Sequence, residues 1–110
     1  MSDLETEFRR SLIAQSLPIP DRVNWDWNYP GETFQVDFAY SELKIAIEIQ
    51  GGTRINGVHV QPTGYAADRR KSNEAQLAGW IVLEFTDRHI RSGYAADAVR
   101  RALSKRYAEE

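Results

Sequence analysis

Two neighbouring stretches of the chain, residues 33–40 and 44–50, alternate between apolar and polar side chains. A period of two is typical of strands that bury one face. The apolar series are Phe34, Val36, Phe38 and Tyr40 in the first stretch, and Ile45, Ile47 and Ile49 in the second. If both series face one core in a hairpin, the turn between the strands has two or four residues, because a one-residue slip would move every side chain to the other face.

The other periodicities predict helices and strands around this hairpin. Leu4, Phe8 and Leu12 follow a Ser2-x-x-Glu5 capping box and predict a helix over residues 3–16. Residues 23–29 alternate like a strand, residues 65–79 predict a helix, and residues 80–85 form an apolar strand. A last helix follows residues 92–93, and the long glycine-containing loop 51–64 is of the kind that carries function.

The predicted order is therefore α-β-β-β-α-β-α, a single α/β domain over residues 1–110 with a mixed sheet flanked by helices. The helix between the third and fourth strands permits a parallel crossover. The chain has no cysteine, which excludes disulfide scaffolds, cysteine zinc sites and thiol nucleophiles. No apolar run approaches the roughly 20 residues that span a bilayer, and the first residues are acidic. We expect a cytoplasmic protein without a membrane partner.

The polar face of the predicted hairpin carries two carboxylates, Asp37 and Glu48. A four-residue turn places them directly opposite each other, whereas a two-residue turn places Ala46 opposite Asp37 and Glu48 diagonally, within about 5–8 Å in either case. Two such like charges destabilise a sheet, and a divalent cation would compensate them. The alternative is that both acids lie on an ordinary solvated face.

These residues and their neighbours carry a family resemblance. The segments concerned are Val36-Asp37-Phe38-Ala39, Ile45-Ala46-Ile47-Glu48-Ile49-Gln50-Gly51-Gly52, Asp68-x-x-Lys71-x-Asn73-x-Ala75 and Gly79-Trp80-x-Val82-Leu83-x-Phe85-Thr86. They resemble the PD-(D/E)XK nuclease superfamily, and most closely its small endonuclease-like proteins related to very-short-patch-repair enzymes of phages and bacteria. The resemblance covers nearly the whole chain. It implies a restriction-endonuclease-like fold and a Mg²⁺-dependent (or Mn²⁺-dependent) endonuclease acting on nucleic acid, with DNA as the expected substrate, in a bacterial or phage-infected cell.

The resemblance also implies roles for individual residues. Asp37 and Glu48 match the metal ligands of the family motif, and Gln50 stands where the motif has lysine, so that its amide oxygen is a further candidate ligand. Lys71 is the candidate for the missing cation, provided that its helix face points over the two acids. The alternative for Lys71 is an exposed ion pair with Asp68, three residues earlier on the same helix.

Two further site residues come from the same resemblance. Glu5 on the first helix is expected to hold a metal-bound water or a second cation, although it also fits as the capping-box partner of Ser2. His59 in the glycine loop is a candidate proton shuttle, or else a solvated surface residue.

Basic and aromatic side chains complete the predicted nucleic-acid interface. Residues 67–110 hold nine basic and seven acidic side chains, whereas residues 1–66 hold five and nine. The candidates for phosphate contacts are Arg69, Arg70, Arg88 and Arg91, which are otherwise ordinary solvated helix residues. Trp25, Trp27 and Tyr29 could stack on bases, but their alternation favours packing against the sheet.

Two other functions fit the same sequence. The glutamine at position 50 is compatible with a catalytically degenerate member that binds DNA without cutting it. Surface acids without a metal role would instead fit a small protein-interaction module of a phage or repair assembly. As an endonuclease that cuts both strands, a domain of this size would need two copies, so a homodimer is expected.

Overall fold

A computed structural model describes residues 3–29, 32–50, 54–55, 58–59 and 65–109. The elements in chain order are α1 (Asp3–Ala14), β1 (Arg22–Tyr29), β2 (Glu32–Tyr40), β3 (Ile45–Ile49), β4 (Arg54–Ile55), β5 (Val58–His59), α2 (Tyr65–Leu77), β6 (Ile81–Phe85), α3 (Asp87–Arg91) and α4 (Tyr94–Ala108). The predicted mixed α/β architecture is confirmed. The additions are the two-residue strands β4 and β5, which pair within the predicted loop, and the short helix α3.

The four longer strands form one mixed sheet in the order β1-β2-β3-β6. Strands β1, β2 and β3 are antiparallel neighbours, and β3 pairs in parallel with β6 after the crossover through α2. Phe38 lies opposite Ile47 and Tyr40 opposite Ile45, which is the register of a four-residue turn. Of the two predicted registers, the structure therefore has the one that places Asp37 across from Glu48.

Helices α1, α3 and α4 cover one face of the sheet and form the main core with it. Phe8 of α1 packs against Phe38 and Phe85, with ring centroids 5.2 and 5.9 Å apart. The largest fully buried side chains are Phe8, Leu12, Phe38, Ile45, Ile47, Phe85 and Val99. The Tyr40 hydroxyl reaches across to donate a hydrogen bond to the carbonyl oxygen of Pro18. Burial of these apolar groups is the main stabilising term of the fold.

Helix α2 lies over the opposite face, where tryptophan rings pack on the sheet. Trp80 contacts Trp25 and Trp27, with centroids 5.6 and 6.1 Å apart, and Trp27 stacks on Phe34. Packing is therefore the observed role of both strand tryptophans, as their alternation indicated. The side chain of Tyr29 lies outside the described residues.

Strand β2 changes the face it presents at Asp37. Val36 packs with Ala39 and Ala46 on the α2 side, whereas Phe38 packs in the main core on the other side. Asn24 sits across from Asp37 with a left-handed backbone (φ 46°), and these two residues form no ladder pair although their neighbours on both sides do. The predicted single apolar face from Phe34 to Tyr40 is thus wrong, because the strand is distorted at its centre.

Thr86 explains the helix that the sequence pattern missed. Its side chain accepts a hydrogen bond from the backbone of His89, and the His89 ring accepts one from the Thr86 backbone, which together form a capping box. Helix α3 has only five residues, too few to show a period. None of the described helices is long and apolar enough to cross a membrane.

Candidate functional site

Asp37 occupies the place where β2 and β3 stop pairing. The last ladder pair is Phe38 with Ile47, and beyond it the Asp37 carboxylate accepts a hydrogen bond from the Ile49 backbone N–H at 2.6 Å. A side chain thus replaces the backbone carbonyl as acceptor for this amide. The interaction fixes Asp37 beside β3, one residue from Glu48.

Glu48 projects from β3 into the space under α2, where it forms an ion pair with Lys71. Both side chains are largely enclosed, at 14% and 16% exposure. The Lys71 ammonium also donates a hydrogen bond to the Gln35 carbonyl oxygen at 3.1 Å. Helix α2 therefore points Lys71 at the acid pair as predicted, and the alternative of a solvated acidic face does not hold for Glu48.

Burial sets the protonation behaviour of both acids. Desolvation raises the pKa of Asp37 above its ordinary value, a shift that the Ile49 N–H and the Lys71 charge partly oppose. Desolvation likewise raises the pKa of Glu48, where Lys71 opposes the shift and the charges of Asp37 and Glu84 add to it. Two enclosed carboxylates that resist ionisation are a feature of functional sites, because such a pair has a high affinity for positive charge.

Glu5 joins the acids from the other side of the sheet. It is half-buried on α1, and its negative charge contributes to raising the pKa of Asp37. Asp37 therefore lies within electrostatic reach of α1 and of α2 at once. The predicted capping partner, Ser2, lies outside the described residues.

Glu84 is a neighbour of the site that the sequence reasoning missed. It pairs with Glu48 in the parallel register of β3 and β6, and Arg69 of α2 binds its carboxylate at 2.9 Å. The signal available in the sequence is that Glu84 is the one charged residue in the apolar strand 80–85. Arg69 and Lys71 thus each bind one carboxylate of the adjacent pair Glu48 and Glu84.

Gln50 and His59 lie at the end of β3 and in the β4–β5 hairpin. Gln50 directly follows β3, and its backbone N–H donates to the Phe85 carbonyl at 2.7 Å. The backbone of His59 pairs with Arg54 in the β4–β5 hairpin, and its side chain lies outside the described residues. Their proposed roles stay predictions.

The candidate phosphate-binding arginines differ in their surroundings. Arg70 and Arg88 are exposed on α2 and α3. Arg69 is bound to Glu84, and Arg91 forms ion pairs with Glu7 and Asp87 at 3.2 and 3.3 Å. A phosphate would have to compete with carboxylates for Arg69 and Arg91.

The donor atoms gathered here fit a hard divalent cation. Within the part of the chain that the structure describes, no group of three or more acidic or histidine side chains is placed to hold a metal ion. Mg²⁺, however, is commonly held by one or two carboxylates, with water and substrate phosphate oxygens completing its shell. Asp37 and Glu48 supply two carboxylates, and a positively charged ammonium is already bound between Glu48 and a carbonyl oxygen.

Comparison with known proteins yields two relatives without an assigned role. They are uncharacterized proteins of Mycobacterium tuberculosis, one from strain CDC 1551 / Oshkosh and one from strain H37Rv, each 26% identical over 106 residues. The alignment covers 94% of this chain and 38% of each relative, so the chain spans about two-fifths of their length. No family model and no solved structure matches the chain.

Proposed function

We propose that this domain is a Mg²⁺-dependent or Mn²⁺-dependent endonuclease that hydrolyses phosphodiester bonds of DNA. The observation that carries the proposal is the convergence of Asp37, Glu48 and Lys71 from three separate elements. Lys71 forms an ion pair with Glu48, and the charge of Asp37 acts on Glu48 while that of Lys71 acts on Asp37. The resemblance of the surrounding motifs to the PD-(D/E)XK nucleases supports the same function. The proposal includes action on DNA in the cytoplasm of a bacterial or phage-infected cell. It also includes a homodimer wherever both strands are cut.

Each residue of the site has a defined task in such a reaction. Asp37 and Glu48 would hold the cation, and the Ile49 N–H keeps Asp37 oriented for it. A bound divalent cation would polarise the phosphate and lower the pKa of the attacking water. Lys71 neutralises negative charge on the phosphate as the bond breaks, which is the task of the lysine that Gln50 replaces. Glu5, whose charge acts on Asp37, would orient a water molecule near it.

The exposed arginines would hold the substrate outside this centre. Arg70 and Arg88 are exposed and would contact flanking phosphates. Arg69 and Arg91 contribute only if DNA displaces their carboxylate partners. Binding should therefore weaken as salt rises.

The test is cleavage of supercoiled plasmid and of mismatched or branched DNA with Mn²⁺ or Mg²⁺. Asp37→Ala and Glu48→Ala should each lower the rate about 10²-fold or more, since a metal supplies several kcal/mol of transition-state stabilisation. Glu42→Ala, which removes an exposed acid from the turn between β2 and β3, is the matched control and should cut like the wild type. Full cleavage by both site variants would refute the assignment.

One observation favours a second function, binding of DNA without cleavage. Glu48 is already neutralised by Lys71, and Gln50 provides no motif lysine. A degenerate domain of this kind would retain DNA at low salt and release it at high salt, while no divalent cation would produce nicks. A protein-interaction module would show neither property.

A further inference from the structure

The Lys71 ammonium occupies an oxygen-lined position. It contacts the Glu48 carboxylate and the Gln35 carbonyl oxygen, and it is close enough to Asp37 to stabilise the ionised form of that carboxylate. All three neighbours offer oxygen, and none of these contacts is made by nitrogen or sulfur. Carboxylate and carbonyl oxygens are the donors that Mg²⁺ and Mn²⁺ prefer.

Two cations cannot share this position. An ammonium and a divalent ion that both contact Glu48 would repel each other strongly, because the side chains are enclosed and water screens them little. We therefore expect the ion pair with Lys71 to open when a metal ion takes Glu48 as a ligand.

We propose that Lys71 and the divalent cation compete for Glu48, so that Lys71 fills the cation position in the metal-free protein and is released when the metal binds. This inference rests on the proposed function, because the competing ion is the cation that the nuclease would use. The release would give Lys71 two successive roles. It first compensates the buried charge of Glu48, and it then becomes available for the phosphate.

Arg69 indicates which part of the protein moves. Its ion pair with Glu84 holds α2 on β6 independently of Lys71. The helix can therefore stay in place while only the flexible lysine side chain changes partner.

The experiment measures binding of Mn²⁺ alone, by calorimetry and by the electron paramagnetic resonance signal of the free ion. Lys71→Met keeps most of the apolar stem but removes the charge, and it should bind Mn²⁺ about tenfold or more tightly than the wild type. Lys105→Met removes an exposed lysine from α4, on the far side of the sheet, and should bind like the wild type. Equal affinities in wild type and Lys71→Met would overturn the competition while leaving the metal site intact.

A second measurement uses the wild-type protein and does not depend on the folding of a variant. The chain has three lysines, Lys44, Lys71 and Lys105, so ¹⁵N-lysine labelling gives a simple spectrum of side-chain nitrogens. Mg²⁺ should shift the Lys71 signal to the position of a solvated ammonium and leave the other two in place. A Lys71 signal that stays unchanged at saturating Mg²⁺ would also overturn the competition.

The outcomes separate this inference from the nuclease proposal. Tighter binding by Lys71→Met together with no cleavage by any form of the protein supports the competition and refutes the nuclease. Cleavage with equal Mn²⁺ affinities supports the nuclease and refutes the competition. If neither protein binds Mn²⁺, both proposals fail.

Discussion

At the scale of single residues, Asp37 has two structural roles. Its carboxylate accepts the Ile49 N–H that the β2–β3 ladder leaves without a backbone partner, and it carries a charge that the enclosed surroundings disfavour. The first role stabilises the fold, whereas the second costs stability when the group is ionised. Such opposed effects are common where a site is built for a ligand instead of for maximal stability.

The charge of Asp37 predicts a pH dependence of stability. Because its pKa in the folded protein is raised above the ordinary 3.8, the folded state holds the proton more tightly than the unfolded chain. Protonation of Asp37 therefore makes its full contribution to the free energy of unfolding below pH 3.8. This contribution is lost as the pH rises through the raised pKa. Asp37→Asn should therefore gain stability relative to the wild type between acidic and neutral pH, by up to about 1 kcal/mol.

Urea unfolding at pH 4 and at pH 7 measures this difference. Asp26→Asn, which removes an exposed carboxylate from β1, is the control for the loss of one charge. A difference between Asp37→Asn and wild type that shrinks towards neutral pH would contradict the proposed cost of the ionised carboxylate.

The charge of Lys71 leads to a prediction about turnover. Lys71→Ala should depress the cleavage rate at saturating DNA and metal but leave DNA affinity nearly unchanged, because one phosphate contact among several contributes little to binding. Gln50→Lys in the Lys71→Ala background should restore part of the rate, since it returns a cation to the family position. Gln50→Leu in that background is the control and should restore nothing. Weaker DNA binding with unchanged turnover would instead make Lys71 a phosphate anchor.

At the scale of elements, α2 and α4 are attached to the sheet in different ways. Helix α4 buries six side chains in the main core, whereas Ala75 is the one buried side chain among the described residues of α2. The ion pairs of Arg69 and Lys71 therefore matter more to α2 than surface pairs ordinarily do. An element with little apolar burial opens at a lower free energy than the rest of the fold.

Amide hydrogen exchange tests this difference between the helices. We expect the amides of α2 to exchange faster than those of α4 in the wild type. Arg69→Gln should accelerate α2 a further two- to fivefold, roughly the effect of one partly exposed ion pair, without changing α4. Arg100→Gln, which breaks an exposed pair with Asp97 on α4, is the matched control. Equal protection of both helices would show that α2 is held mainly by packing.

At the scale of the whole molecule, the sheet divides two environments. Among the described residues, one face is an aliphatic and aromatic core under α1, α3 and α4, and the other carries the tryptophans, Glu48 and helix α2. The site lies where these environments meet, because the pKa of Asp37 is influenced by Glu5 on α1 and by Lys71 on α2. A ligand bound there contacts strands that belong to the central sheet, so its binding is coupled to global unfolding.

Divalent cations should consequently raise the melting temperature. Saturation at about 100 times the dissociation constant gives about 2.7 kcal/mol, which corresponds to several degrees or more for a domain of this size. The shift should vanish in Glu48→Gln and persist in Glu42→Gln. A wild-type protein whose melting temperature does not respond to Mg²⁺ or Mn²⁺ would contradict the metal site.

The alternation of apolar and polar side chains was sufficient to predict the strands of the sheet, and the helix between the third and fourth strands allowed the parallel crossover. The alternation left two registers of the β2–β3 hairpin open, and the structure has the one with a four-residue turn, in which the ladder ends at Phe38 and Ile47, next to Asp37 and Glu48. The sequence could not reveal the change of face at Asp37. Phe34 and Val36 are apolar like Phe38 and Tyr40, and since both faces of the sheet are covered, the alternation continues unbroken across the distortion.

The sequence pattern also did not predict the ion pair of Arg69 with Glu84. This ion pair depends on how far β6 is shifted along β3, which the crossover through α2 determines and which no local pattern in β6 encodes. Lys71 was easier to identify, because the motif resemblance made it the candidate cation for the acids, on the condition that its helix face points over them. The hydrogen bond from Lys71 to the Gln35 carbonyl could not be predicted, because a backbone acceptor does not depend on the side-chain pattern.

The paired irregularities at Asn24 and Asp37 have a consequence for insertions and deletions. The pairs on both sides of them, Val23 with Phe38 and Trp25 with Val36, have the same register. The β1–β2 hairpin therefore corresponds to a regular hairpin with one residue inserted in each strand. Removing both residues together would leave every remaining side chain on its present face. Removing either one alone would shift half of the ladder. The carboxylate is therefore an addition to a hairpin that could exist without it, and that addition required a matching residue in the neighbouring strand.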